Sequence, residues 1–222
     1  MRPRSLSHWR LAALVFFPAF LGSSAARAEV TRIEIQSRED VLAGKTWGAA
    51  GVYEKLSGRV YFAVDPSVPA NRRIADLDKA PRNARGLVEF SSDLAILKPK
   101  DPKSGNGVVL FDVVNRGARS LLAVFSRGAR GGDFTTEAEF GDGSLLHQGY
   151  TLVAVGWQFD VPKGGNRLGI DVPVATDRGR AITGWVRMSF TSPQAVAAFE
   201  YVAGNNTRAY PPLDLENSAY RL

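Results

Sequence analysis

The 222-residue chain contains no cysteine. That absence removes thiol catalysis, thiolate zinc sites and iron–sulfur clusters. It also leaves the fold without disulfides, which a core of this size does not need even in an oxidising compartment. Histidine is almost absent as well, with only His8 and His147 present. A histidine-based metal site needs several ligands, and His147 alone in the body of the chain cannot supply them. The sequence therefore gives no reason to expect a metal or a cofactor. Acidic charge is missing from the first 28 residues, where Arg2, Arg4, Arg10 and Arg27 stand unopposed. Those four arginines carry most of the +6 formal charge and leave Glu29–Leu222 at only +2. Lys98, Lys100 and Lys103 are interleaved with Asp101 and prolines, which is a solvated loop. Nucleic-acid binding is rejected on that balance.

What stands at the amino terminus is an export signal. The arginines open it, Leu11–Leu21 forms an apolar core, and Ala26-Arg27-Ala28 gives a small-x-small cleavage pattern. A membrane span needs ~20 apolar residues, and Pro18 interrupts this run. Residues 1–28 are thus expected to be a signal peptide cleaved after Ala28. Residues 29–222 are expected to be periplasmic or secreted, with no membrane span after cleavage.

The mature part is rich in strand patterns. Thr31–Gln36 alternates polar and apolar, Gly58–Val64 follows Tyr53–Leu56 and a Ser57-Gly58 turn, and Val88–Leu97 ends at Lys98-Pro99. Two later strands, expected at Val108–Val114 and Thr151–Val155, hold the unbroken apolar runs Val108–Phe111 and Leu152–Val155, as strands buried on both faces of a parallel sheet do. A polar stretch and a short helical turn at Gly143–Gln148 separate them, which makes a crossover unit. Leu168–Ala175 and Arg180–Phe190 read as further strands, and Gln194–Ala203 as a helix after Ser192-Pro193. The fold class expected is α/β: a mixed sheet, antiparallel at its start, with parallel central strands. The order of elements reads as the first half of a larger, truncated domain.

In such sheets chemistry sits at the carboxyl ends of the parallel strands. Here these ends are Asn115-Arg116-Gly117 and Gly156-Trp157-Gln158, with Asp160 close by. A loop leaving a buried strand can aim backbone N–H groups at an oxyanion, and glycine permits close approach. Asn115, Arg116 and Gly117 are the oxyanion-loop candidates, and Trp157 and Asp160 the pocket-lining candidates. No nucleophile accompanies them. Gly-x-Ser-x-Gly, the strained elbow that exposes a catalytic serine, is absent. Gly141-Asp142-Gly143-Ser144 comes nearest but follows no buried strand, so Ser144 is read as a turn or helix cap. His147 precedes a core strand and is read as part of the crossover. Asp76 and Asp78 fall in a polar loop, and Glu137 and Glu139 stand by a phenylalanine expected at the surface. No catalytic residue is assigned within the chain.

GRVYFAVDP at Gly58–Pro66, IADLDKAPRN at Ile74–Asn83, the NRG closing Gly107–Gly117, GYTLVAVGWQFD at Gly149–Asp160 and Tyr210-Pro211-Pro212 resemble one family. It is that of bacterial exported alpha/beta-hydrolase-domain proteins of poorly defined substrate, and the likeness runs from Val52 to about Pro212. The resemblance implies an α/β-hydrolase fold and a serine hydrolase of ester or related acyl bonds acting on a small-molecule substrate. It places the nucleophile, acid and histidine beyond residue 222. By position it makes Asn115-Arg116-Gly117 the oxyanion loop. The alternative from the residues alone is a non-catalytic β-rich periplasmic binding module, with Trp47, Trp157 and Trp185 as ligand-stacking rings. Oligomeric state is not legible.

Overall fold

The computed structural model describes residues 28–184, apart from 163 and 165. The leader, Trp185, the helix expected at Gln194–Ala203 and Tyr210-Pro211-Pro212 lie outside the described residues. A mixed sheet dominates, formed by β1 (Ala28–Asp40), β2 (Tyr53–Val64), β3 (Val88–Pro99), β4 (Val109–Val113) and β5 (Thr151–Val155). Its order is β1-β2-β3-β5-β4, with the two-residue β6 (Ile170–Asp171) pairing β3 beyond the end of β5. All neighbours are antiparallel except β4 and β5, which run parallel from Val109↔Thr151 to Val113↔Val155. Three short helices fill the crossover: α1 (Leu121–Phe125), α2 (Glu137–Phe140) and α3 (Ser144–His147). A separate ribbon pairs β7 (Thr176–Asp177) with β8 (Arg180–Ala181).

Three expectations are corrected. Ser57-Gly58 is not a turn, because β2 runs through it without a break. The glycine serves a close approach instead: a Cβ at Gly58 would lie 2.0 Å from the Glu34 carbonyl oxygen of β1. Beside it, β1 slips register between Ile35 and Ser37, and such bulges bend the strand and sharpen its twist. The strand expected at Leu168–Ala175 shrinks to Ile170–Asp171: the Leu168 N–H donates to the Gly117 carbonyl in the loop after β4, and the Gly169 N–H to the Asp93 side chain on β3. Finally, β4 is not buried on both faces. Val109, Phe111 and Val113 are 55, 58 and 58% exposed, and β4 is the last strand of the sheet among the described residues.

The other face of the same strands is covered. Pairing sets Leu110, Leu152 and Leu97 side by side, and strand pleat turns all three the same way. Tyr53, Trp47, Leu122, Phe140 and Leu146 pack there in one cluster. Trp47 and Phe140 hold ring centroids 5.2 Å apart. Full burial of such side chains is worth about 1.5–3 kcal/mol each. The Tyr53 hydroxyl donates to the Leu146 and Tyr150 carbonyls at 3.1 and 2.9 Å, and burial pushes its pKa up to about 12. It stays protonated and ties β2 to the end of the crossover.

The next row along this face is short-chained. Asp112, Ala154 and Ala95 stand in register.

Candidate functional site

Because β4 and β5 are parallel, both deliver their following loops to the same end of the sheet. The structure brings together all five residues predicted there. Arg116 and Gly117 both take left-handed backbone, with φ of 51° and 78°. A Cβ on Gly117 would meet Arg167 Cβ at 2.8 Å and the Leu168 backbone at 3.0 Å. Glycine at this point therefore answers to the packing of the 167–168 segment as well as to its backbone angle.

The two loops clasp each other. The Arg116 guanidinium donates to Asp160 Oδ1 at 2.7 Å, with the side chains 23 and 14% exposed. The Arg116 backbone N–H donates to Gln158 Oε1 at 2.6 Å, and Arg167 donates to the Arg116 carbonyl at 3.2 Å. Trp157 Nε1 donates to the Val114 carbonyl at 2.6 Å while the residue stays 53% exposed. Leu168 N–H closes the circuit on the Gly117 carbonyl at 3.0 Å. One of the loop's donors, the Arg116 N–H, is thus taken by Gln158. The Gly117 N–H meets no acceptor among the described residues.

Alongside lies a second polar group that the sequence did not suggest. Arg59 on β2 donates to Asp93 Oδ1 at 2.7 Å, to Ser91 Oγ at 2.7 Å and to Asp171 Oδ2 at 2.5 Å. Asp93 Oδ2 accepts the Gly169 N–H at 3.0 Å. Arg59, Asp93, Gly169 and Asp171, with Phe159 and Arg167, line a cavity of about 230 Å³. Nothing in local sequence marks the group, because its members come from three strands.

Ser144 and His147 do not form a catalytic pair. Ser144 opens α3, where its Oγ lies 3.1 Å from Ser126 Oγ and 3.2 Å from the Phe125 carbonyl. His147 ends α3 with its ring edge-on to Trp47 at 5.5 Å. Trp47 is 3% exposed, which excludes it as a ligand-stacking ring. The phenylalanine expected at the surface, Phe140, is fully buried, and Glu139 is 6% exposed. Glu139 accepts backbone N–H groups from Asp133, Phe134, Thr135 and Thr136 at 2.8, 3.3, 2.9 and 2.9 Å. Burial alone would raise its pKa. The N–H groups of Thr136, Thr135 and Asp133 and the Thr136 hydroxyl outweigh burial and hold it down at about 2. Its signal was in the chain, since Thr136-x-x-Glu139 is a capping-box pattern.

Among the described residues no group of three or more histidine, aspartate or glutamate side chains is placed to hold a metal ion. No helix among them is long and apolar enough to cross a membrane. The chain matches no family model, no curated protein and no solved structure.

Proposed function

We propose that this chain is the amino-terminal portion of an exported serine hydrolase acting on ester or related acyl bonds of a small-molecule substrate. On this reading the nucleophile elbow and catalytic histidine belong to sequence beyond Leu222, and the leader delivers the product to the periplasm or medium. The finer fold reading, a sheet of the α/β-hydrolase type, goes with it. Antiparallel strands leading into the β4–β5 pair, joined by a crossover through α1–α3, support that reading.

The observation that carries the proposal is the Asn115–Gly117 loop. In α/β hydrolases the oxyanion hole takes one N–H from the residue after the nucleophile and another from a strand-to-helix loop. Asn115–Gly117 connects β4 to α1, and the Gly117 N–H has no acceptor among the described residues. Arg116–Asp160 and Trp157–Val114 fix that loop against the end of β5, as preorganised donors require. A second reading, a non-catalytic binding module, is favoured by the Trp157 ring, which is exposed and anchored through its N–H.

The test is labelling of the product of the native locus with a fluorophosphonate, followed by mapping of the modified residue. The expected result is one labelled serine outside residues 1–222. A label within Glu29–Leu222 would overturn the assignment. A product that ends at Leu222 and takes no label would do so too, and would leave the binding module.

A further inference from the structure

We infer that the cavity lined by Arg59, Asp93 and Asp171 is a binding site for one uncharged sugar ring, a neutral pyranose. Strands β2, β3 and β6 supply these three side chains, and the segment after β5 supplies Phe159 and Arg167. None of the oxyanion-loop candidates lines the cavity, and the inference does not rest on the hydrolase reading. A volume of about 230 Å³ lies below the roughly 300 Å³ at which pockets for drug-sized ligands begin. The occupant is therefore a single small ring.

The lining decides the charge of the ligand. Among the described residues it includes two guanidiniums, Arg59 and Arg167, and two carboxylates, Asp93 and Asp171. Their formal charges cancel, so a singly charged ligand of either sign meets like charges as well as opposite ones. A zwitterion fares no better, because Arg59 already bonds to both carboxylates that its ammonium would need. An uncharged ligand meets none of these penalties.

What the lining does offer is hydrogen bonding of both senses on groups already held in place. Arg59 is clamped between Asp93 and Asp171 at 2.7 and 2.5 Å, and the Gly169 N–H holds Asp93 a second time at 3.0 Å. Ordering such groups costs little at the moment of binding. The Arg59, Asp93 and Asp171 side chains are nevertheless 21, 35 and 46% exposed. Asp93 accepts these two hydrogen bonds out of the about four that a carboxylate can take. Hydroxyls donate and accept at once, and neighbouring hydroxyls on a ring match carboxylate and guanidinium set side by side. The Phe159 ring completes the lining and is 52% exposed. A pyranose turns one face of C–H groups outward, and that face settles on the electron-rich face of an aromatic ring.

The experiment is saturation-transfer NMR on the full chain with methyl glucopyranoside as the neutral probe, and with glucuronate, glucosamine and phenylalanine as anion, cation and zwitterion. The expected result is saturable binding of the neutral probe with a Kd of about 1 mM, the ordinary yield of roughly a dozen ligand atoms, and weaker binding of the other three. Phe159→Ala and Asp171→Asn both change exposed residues, so each variant is expected to keep the fold. In Phe159→Ala the affinity for the neutral probe falls about fivefold or more, the loss of the ring. Asp171→Asn leaves one carboxylate against two guanidiniums, and the preference passes to glucuronate. Tighter binding of any charged probe by the wild type overturns the inference in favour of a charged ligand. Absence of saturable binding by the neutral probe overturns it outright. A response unchanged in both variants does so too, since it then arises away from this cavity.

Discussion

Replacing Glu139 with glutamine keeps the size of the side chain and removes both its charge and one of its two accepting oxygens. In the native loop Oε1 serves the N–H groups of Asp133 and Phe134, and Oε2 those of Thr135 and Thr136. A glutamine must present its NH₂ to one of these pairs, donor against donor. The magnitude follows from the carboxyl's proton equilibrium. Its pKa is about 2 in the fold against an ordinary 4.5. At roughly 1.4 kcal/mol per pH unit, the ionised carboxylate contributes about 3 kcal/mol. Because the folded value is depressed, that contribution is complete above the ordinary value and is lost as pH falls from about 4.5 toward 2. Urea unfolding of the wild type and Glu139→Gln at pH 7 and at stepwise lower pH checks this. The expected gap of about 3 kcal/mol at pH 7 narrows steadily below pH 4.5. A gap under about 1 kcal/mol at pH 7, or one that does not narrow in acid, refutes the reasoning.

Gly58→Ala sets a methyl carbon 2.0 Å from the Glu34 carbonyl oxygen, so β1 must move. The expected cost is about 1–3 kcal/mol, with hydrogen-exchange protection lost from β1 before β2 and β3; unchanged protection would count against the close-approach account. Phe111→Lys places a charge on the 58% exposed face of the last described strand. It is expected to raise the monomeric fraction in size-exclusion chromatography with little change in unfolding midpoint, since charged residues guard an edge against pairing. An unchanged aggregated fraction would show that the β4 edge is not the sticky surface.

The parallel pair was legible because its signal is local. Two apolar runs, Val108–Phe111 and Leu152–Val155, separated by a crossover admit few other arrangements, and the strands expected at Val108–Val114 and Thr151–Val155 pair parallel as expected. Burial on both faces was not legible, since it depends on what packs over a strand rather than on the strand. Val109, Phe111 and Val113 satisfy the pattern for a central strand and yet stand exposed. The same limit explains Gly58. A glycine after a serine reads as a turn, and only the course of β1 shows that the position is set by a neighbouring carbonyl.

The edges of the sheet differ in a way that bears on function. Strand β1 carries Glu29, Arg32, Glu34, Arg38 and Glu39 and two register slips, the devices that keep an edge from pairing further. Strand β4 is short and regular, VLFDV, with no register slip and one charge, Asp112, turned to the covered face beside Ala154. The loop that leaves this edge holds Asn115, Arg116 and Gly117. The candidate site therefore stands beside the β4 edge of the sheet among the described residues. Sequence pointed to this loop because strand ends are read from apolar runs stopping at polar residues.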